Sequence, residues 1–195
     1  KTIFSLLFIF LCAIVCPAQV LTLPSSEAVS PGMWLCYRMS LHLGDEPSDV
    51  ELRIAADSKY WLWVNGELQV REGGLKRGPN PQDTYCDVLR GRQGLREGDN
   101  TVAVLVWYFG KDGFSHRNSP TPGLAFSLSV DGRALDTDNA WRVCRHPAYY
   151  LPEGEKPNYR LPESNIGFDA TKDIAFHRPD YDDGSWSKAR RVSLE

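Results

Sequence analysis

The sequence predicts an all-β sandwich or jelly roll, and three observations carry that prediction. Apolar residues recur at period two in several short runs. Asn-Gly and Asp-Gly dipeptides stand between pairs of those runs, where a tight hairpin needs residues that tolerate positive φ. From Leu52 to Val143 no long stretch repeats at helical spacing, and the intervening loops are rich in Gly and Pro.

Each element follows from its own pattern. Leu35, Tyr37, Met39, Leu41 and Leu43 alternate as in a half-buried strand, and Val50, Leu52 and Ile54 do the same. Tyr60 to Val64 and Glu67 to Val70 flank Asn65-Gly66 and read as a hairpin. In that hairpin Tyr60, Leu62 and Val64 face one side while Trp61 and Trp63 face the other, so the strand is covered on both faces. Gly98-Asp99-Asn100 turns into Thr101 to Phe109, a β-branched and aromatic run that reads as a central strand. Leu124 to Val130 alternates again, and Asp131-Gly132 returns it into Arg133 to Leu135 as a second hairpin. Long polar loops run from Arg71 to Asp83 and from Lys111 to Gly123.

The two ends differ from the middle. Residues 1–18 read as a secretory signal peptide: Lys1, an uncharged apolar run from Ile3 to Val15, then Cys16-Pro17-Ala18 before a cleavage site at Gln19. That run of roughly 13 residues is short of the ~20 that span a bilayer as a helix. The expected location is therefore periplasmic or extracellular, with no membrane contact after cleavage. Residues 19–146 are expected to form the sandwich. Residues 147–195, rich in Pro, Asp and Tyr, read as an extended connector and the start of a further unit. A net charge of −3 with both signs interspersed gives no basic stripe, so no nucleic-acid partner is expected. Beyond Cys12 and Cys16, three cysteines remain: Cys36, Cys86 and Cys144. They allow at most one bridge, its pairing open. Cys36, among apolar neighbours, reads as a small buried hydrophobe.

Several segments together resemble a known family. Ala55-Ala56-Asp57-Ser58-Lys59-Tyr60-Trp61-Leu62-Trp63-Val64-Asn65-Gly66 is similar to the A-D-x-x-Y-x-L-x-V-N-G hairpin of galactose-binding-like β-sandwiches attached to glycoside hydrolases. Tyr85-Cys86-Asp87-Val88, Leu95 to Val104, and Thr137-Asp138-Asn139-Ala140-Trp141-Arg142 resemble the segments that follow in that family. Phe168-Asp169-Ala170 and Asp180-Tyr181-Asp182-Asp183-Gly184-Ser185-Trp186-Ser187-Lys188-Ala189 resemble its closing segment, an order typical of the amino-terminal region of bacterial α-L-rhamnosidases. There are departures: Thr171 stands where Arg is usual, Phe176 near a usual Trp, and Gly184 is an extra residue. The resemblance implies a galactose-binding-like β-sandwich that braces a separate helical-barrel catalytic domain, which would lie beyond these residues. The implied partner is a plant or microbial glycan containing rhamnose. A free-standing carbohydrate-binding or adhesion module is the rival expectation.

The chemistry-bearing residues are weighed against that background. Glycosidases need two carboxyl groups flanking the scissile bond. Asp57, Glu67, Glu72, Asp112, Glu153 and Glu163 sit in no such motif and read as solvated loop charges, so no catalytic residue is assigned. His42, His116, His146 and His177 lack paired metal-ligand spacing, and Asp180 to Gly184 lacks the Gly position and closing Glu of a calcium loop; neither metal nor cofactor is expected. Asp182, Asp183 and Ser185 read as caps of a turn before an inward Trp186. Sugar sites combine an aromatic face with planar polar groups. The stretch from Trp107, at the end of the central strand, to Asn118 holds both, and Trp107, Tyr108, His116, Arg117 and Asn118 are the candidate sugar-binding residues. Trp61, Trp63 and Trp141 read as core or domain-interface aromatics.

Overall fold

A computed structural model describes residues 19–74, 86–114, 116–137, 139–154, 161 and 163–193. The predicted signal peptide, most of the Arg71 to Asp83 loop, and Tyr85 and Asp138 of the family segments lie outside the described residues. The strands are β1 (Gln19–Thr22), β2 (Met33–Leu43), β3 (Val50–Asp57), β4 (Lys59–Val64), β5 (Glu67–Gly74), β6 (Asp87–Arg90) and β7 (Gly98–Tyr108). They continue with β8 (Gly123–Val130), β9 (Arg133–Leu135), β10 (Arg142–Arg145), β11 (Tyr149–Tyr150), β12 (Gly167–Phe168), β13 (Ser187–Lys188) and β14 (Arg190–Ser193). One 3₁₀ turn, Ala170–Lys172, is capped by the Asp169 side chain.

Two antiparallel sheets face each other. The first runs β14-β1-β8-β3-β6, with β9 also on β8. The second runs β13-β10-β2-β7-β4-β5. Both predicted hairpins are present. Asn65 and Gly66 (φ 52° and 84°) join β4 to β5, and Asp131 and Gly132 (φ 48° and 75°) join β8 to β9. The expected central strand is β7, paired with β2 from Met33–Tyr108 to Leu43–Gly98 on one side and with β4 on the other.

Alternation along β2, β7 and β4 divides their side chains between two layers. Leu35, Tyr37, Val104, Val106, Tyr60 and Leu62 point inward, against Leu52 and Ile54 of β3 and Leu124 and Leu128 of β8. Each such side chain contributes about 1.5–3 kcal/mol on leaving water. The alternate residues, Trp34, Cys36, Trp61, Trp63, Leu105 and Trp107, point outward. They are covered by the carboxy-terminal segment, through Phe176, Tyr181 and Trp186. Residues 147–193 also supply β13 to the second sheet and β14 to the first. Trp141, fully buried, meets Phe126 edge-on at 4.9 Å within the inter-sheet core.

The two asparagines of the family segments fix one end of the sandwich. Asn65 Nδ2 donates to Asn100 Oδ1 at 2.8 Å, and Asn65 Oδ1 accepts from Thr101 N. Asn100 in turn accepts from Arg96 N and donates to the Arg96 and Gly98 carbonyls. The amide pair thus joins the β4–β5 turn to the loop before β7.

Candidate functional site

The opposite end carries the candidate residues. There β2 begins, β3 and β7 end, and the 109–122 loop starts. Asp57, at the end of β3, is buried, which corrects its reading as a solvated charge. Its Oδ2 accepts from Ser119 N at 2.8 Å and its Oδ1 accepts from Ser58 Oγ at 2.9 Å. Ser58 Oγ accepts from Phe109 N, and buried His116 places Nε2 3.9 Å from Asp57 Oδ1. The acid of the A-D-x-x-Y segment therefore anchors both ends of this loop. A carboxylate is suited to that because it offers several acceptor sites at once.

The five candidate sugar residues divide between three places. Trp107 and Tyr108 are adjacent in β7 and so face opposite ways. Trp107 lies in the outer aromatic layer, stacked on Trp34 at 4.9 Å and edge-on to Phe109 at 4.8 Å. Tyr108 is buried toward the other sheet, where its hydroxyl donates to Ser119 O at 2.6 Å and accepts from Asn118 Nδ2 at 3.0 Å. His116 lies under the loop, edge-on to Phe109 at 5.3 Å. Arg117 is exposed and pairs with Asp112 at 2.8 Å. The Asn118 backbone N–H and the Arg117 guanidinium together hold the Asp112 carboxyl below its ordinary range. The structure thus brings Tyr108 to Asn118 and leaves Trp107 apart. Phe114, 91% exposed, is the outermost aromatic of the loop and was not among the predicted contacts.

Beside the loop lies a cleft of about 420 Å³, between the Ser30–Trp34 segment and Arg145–Leu151. The volume is in the range of small-ligand sites. Gly110 (φ 69°) joins loop to cleft: an added Cβ there would lie 2.4 Å from Pro31 Cα. Trp34 lines the cleft, but its ring is sandwiched between Trp107 and Tyr149, the latter at 4.0 Å and nearly parallel. The available aromatic is Tyr150, 55% exposed and backed by Gly167, where a Cβ would come within 2.3 Å of the ring. Arg145 and His146 bring polar groups to the same cleft. Burial lowers the His146 pKa below its ordinary value, opposed by Asp173 at 3.5 Å. Sequence reasoning missed this cleft. Its one signal was the Tyr149-Tyr150 pair, which lies in the stretch expected to be a connector.

Among the described residues no group of three or more His, Cys, Asp or Glu side chains is arranged to hold a metal ion. The arrangement offers aromatic faces, a guanidinium, an imidazole and amides around a concave surface.

Two facing antiparallel sheets with loops gathered at their ends define a galactose-binding-like β-sandwich. No protein-family model and no curated protein matches the sequence. Solved structures do match. A GH78 family rhamnosidase of Bacillus sp. GL1 is 31% identical, with a TM-score of 0.76 over 89% of this chain and 18% of that one. An α-L-rhamnosidase of Aspergillus terreus is 18% identical, with a TM-score of 0.64 over 91% of this chain and 21% of that one. A Pleurotus ostreatus lectin shares the fold, with a TM-score of 0.55 at 17% identity, over 91% of this chain and 42% of that one. The resemblance read from the motifs therefore holds in three dimensions: this is a β-sandwich of the kind built into α-L-rhamnosidases. The chain spans about a fifth of the length of those enzymes.

Proposed function

We propose that this chain is the non-catalytic accessory sandwich, at the amino end, of a secreted glycoside hydrolase acting on rhamnosides. It braces the catalytic domain and offers a weak glycan contact at the loop-and-cleft end. The observation that carries the proposal is the Bacillus match, which aligns 89% of this chain with only 18% of an enzyme. The glycan contact is supported by the exposed Tyr150 ring beside Arg145 and His146, and by Arg117 and Asn118 on the adjoining loop. An exposed ring and a few hydrogen bonds compete with water for sugar hydroxyls, so weak binding is expected. Titrating rhamnose-containing oligosaccharides into isotopically labelled protein should move signals of Tyr150, His116 and Asn118 first. Shifts confined to the Asn65–Gly66 end, or none at millimolar ligand, would remove the glycan contact.

A further inference from the structure

The three cysteines left open by the sequence are sorted by the sheet. Cys36 of β2 and Cys144 of β10 are directly opposed in the antiparallel register. His146 N donates to Trp34 O two positions along, so the Cys36–Cys144 pair is also of the hydrogen-bonded kind. Such pairs hold their Cα atoms about 5.5 Å apart, within the roughly 4.4–6.8 Å that a disulfide spans, while their Cβ atoms stand at the wide end of about 4.5–5.5 Å and must draw in to the roughly 3.5–4.5 Å of a closed bridge. Both side chains lie in the outer aromatic layer. Cys86 precedes β6 at the edge of the other sheet, near Asp87 and near Tyr60 of the inter-sheet core. The second sheet itself separates it from Cys36.

We infer that Cys36 and Cys144 are a dithiol site that closes to a cross-strand disulfide on meeting an oxidising small disulfide such as oxidised glutathione. The two thiols have different roles. Cys36 is fully buried, and burial pushes its thiol well above the ordinary cysteine range, with the neighbouring Cys144 acting in the same direction. Cys144 is partly exposed and is the point of attack. Its thiolate attacks one glutathione sulfur, the glutathione S–S bond breaks, and one glutathione leaves as a thiolate that takes up a proton. Cys36 then loses its proton and attacks the Cys144 sulfur, the mixed disulfide breaks, and a second glutathione leaves. Two cysteine thiols are oxidised by two electrons, one glutathione disulfide is reduced, and two protons pass to the two glutathiones.

Closure would tie β2 to the strand that leads into the cleft wall at Arg145–Leu151. It closes a loop on the order of 100 residues, which constrains the unfolded chain strongly.

The test equilibrates the purified native chain with oxidised glutathione, quenches with acid, alkylates under denaturing conditions and maps the peptides. Linked peptides carrying Cys36 and Cys144 are expected, with a melting midpoint raised by about 5–10 °C and restored by dithiothreitol. A Cys86→Ser chain should behave identically. Glutathione retained on Cys144 with Cys36 alkylated, both residues alkylated at equilibrium, or any link through Cys86 would overturn the inference.

Discussion

Arg38 and Asp183, 145 positions apart, form the ion pair that fastens the carboxy-terminal segment to the second sheet. Arg38 Nε donates to Asp183 Oδ2 at 3.0 Å, and the residue is 2% exposed. Its other nitrogens donate to the carbonyls of Phe176, Arg178 and Tyr181. The fixed fork of donors makes this an arginine site. It also gives the Asp182-Asp183 motif a physical reason. Asp183 answers the buried cation, Asp182 Oδ1 accepts from Gly184 N, and Trp186 N donates to Asp183 O as the indole enters the outer layer.

Replacing Arg38 with Met leaves Asp183 without its strongest partner and three carbonyls without their donor. The expected loss is about 3–5 kcal/mol of unfolding free energy. Arg38→Lys should recover less than half of it, since one ammonium cannot reproduce the fork. Urea unfolding followed by tryptophan fluorescence reads both. A loss below about 1 kcal/mol for the Met variant would show that the segment is held by Phe176 and Trp186 alone.

Gly66 sits at φ 84°, and an added Cβ would meet Pro179 Cδ at 3.3 Å. Gly66→Val therefore combines a strained backbone with a contact to the carboxy-terminal segment. It should cost on the order of 1 kcal/mol or more. Differential scanning calorimetry showing an unchanged midpoint would mean that the turn relaxes freely.

Acid should weaken the outer layer in a defined window. Burial depresses the folded-state pKa of His146, and of His177 in the same direction. Above about pH 6.5 both imidazoles are neutral in either state and add no pH dependence. As pH falls through about 6.5 the unfolded chain takes up protons first, so stability drops until the folded-state values are reached. Chemical denaturation midpoints should fall across that window, and His146→Gln should flatten the slope without abolishing it. A slope unchanged by the substitution would place the titration elsewhere.

Much of the sandwich was legible because strand alternation is a local signal. The same rule that separates Tyr60, Leu62 and Val64 from Trp61 and Trp63 placed them correctly on the two faces of β4. It also bears on Trp107 and Tyr108. As neighbours in a strand they had to diverge, and grouping them as one sugar surface set that rule aside at the strand's end. The outer cover was legible only at Trp186, read as inward from the turn before it and buried in the fold; Phe176 is a single aromatic in an irregular segment, with no period to mark it as core. Asp57 read as solvated because the loop amide and the Ser58 hydroxyl that satisfy it come together only in the fold. The cleft was equally hidden, since β11 and β12 are two residues each, too short for a periodic signal.

The accessory role can be read from a hydrolysis assay. Purified Gln19–Glu195 is incubated with aryl α-L-rhamnosides and a panel of other aryl glycosides, and release of the aryl group is followed. An accessory sandwich should give no turnover above the rate in buffer. Turnover that survives repurification, and is lost on changing a single Asp or Glu of this chain to its amide, would contradict it.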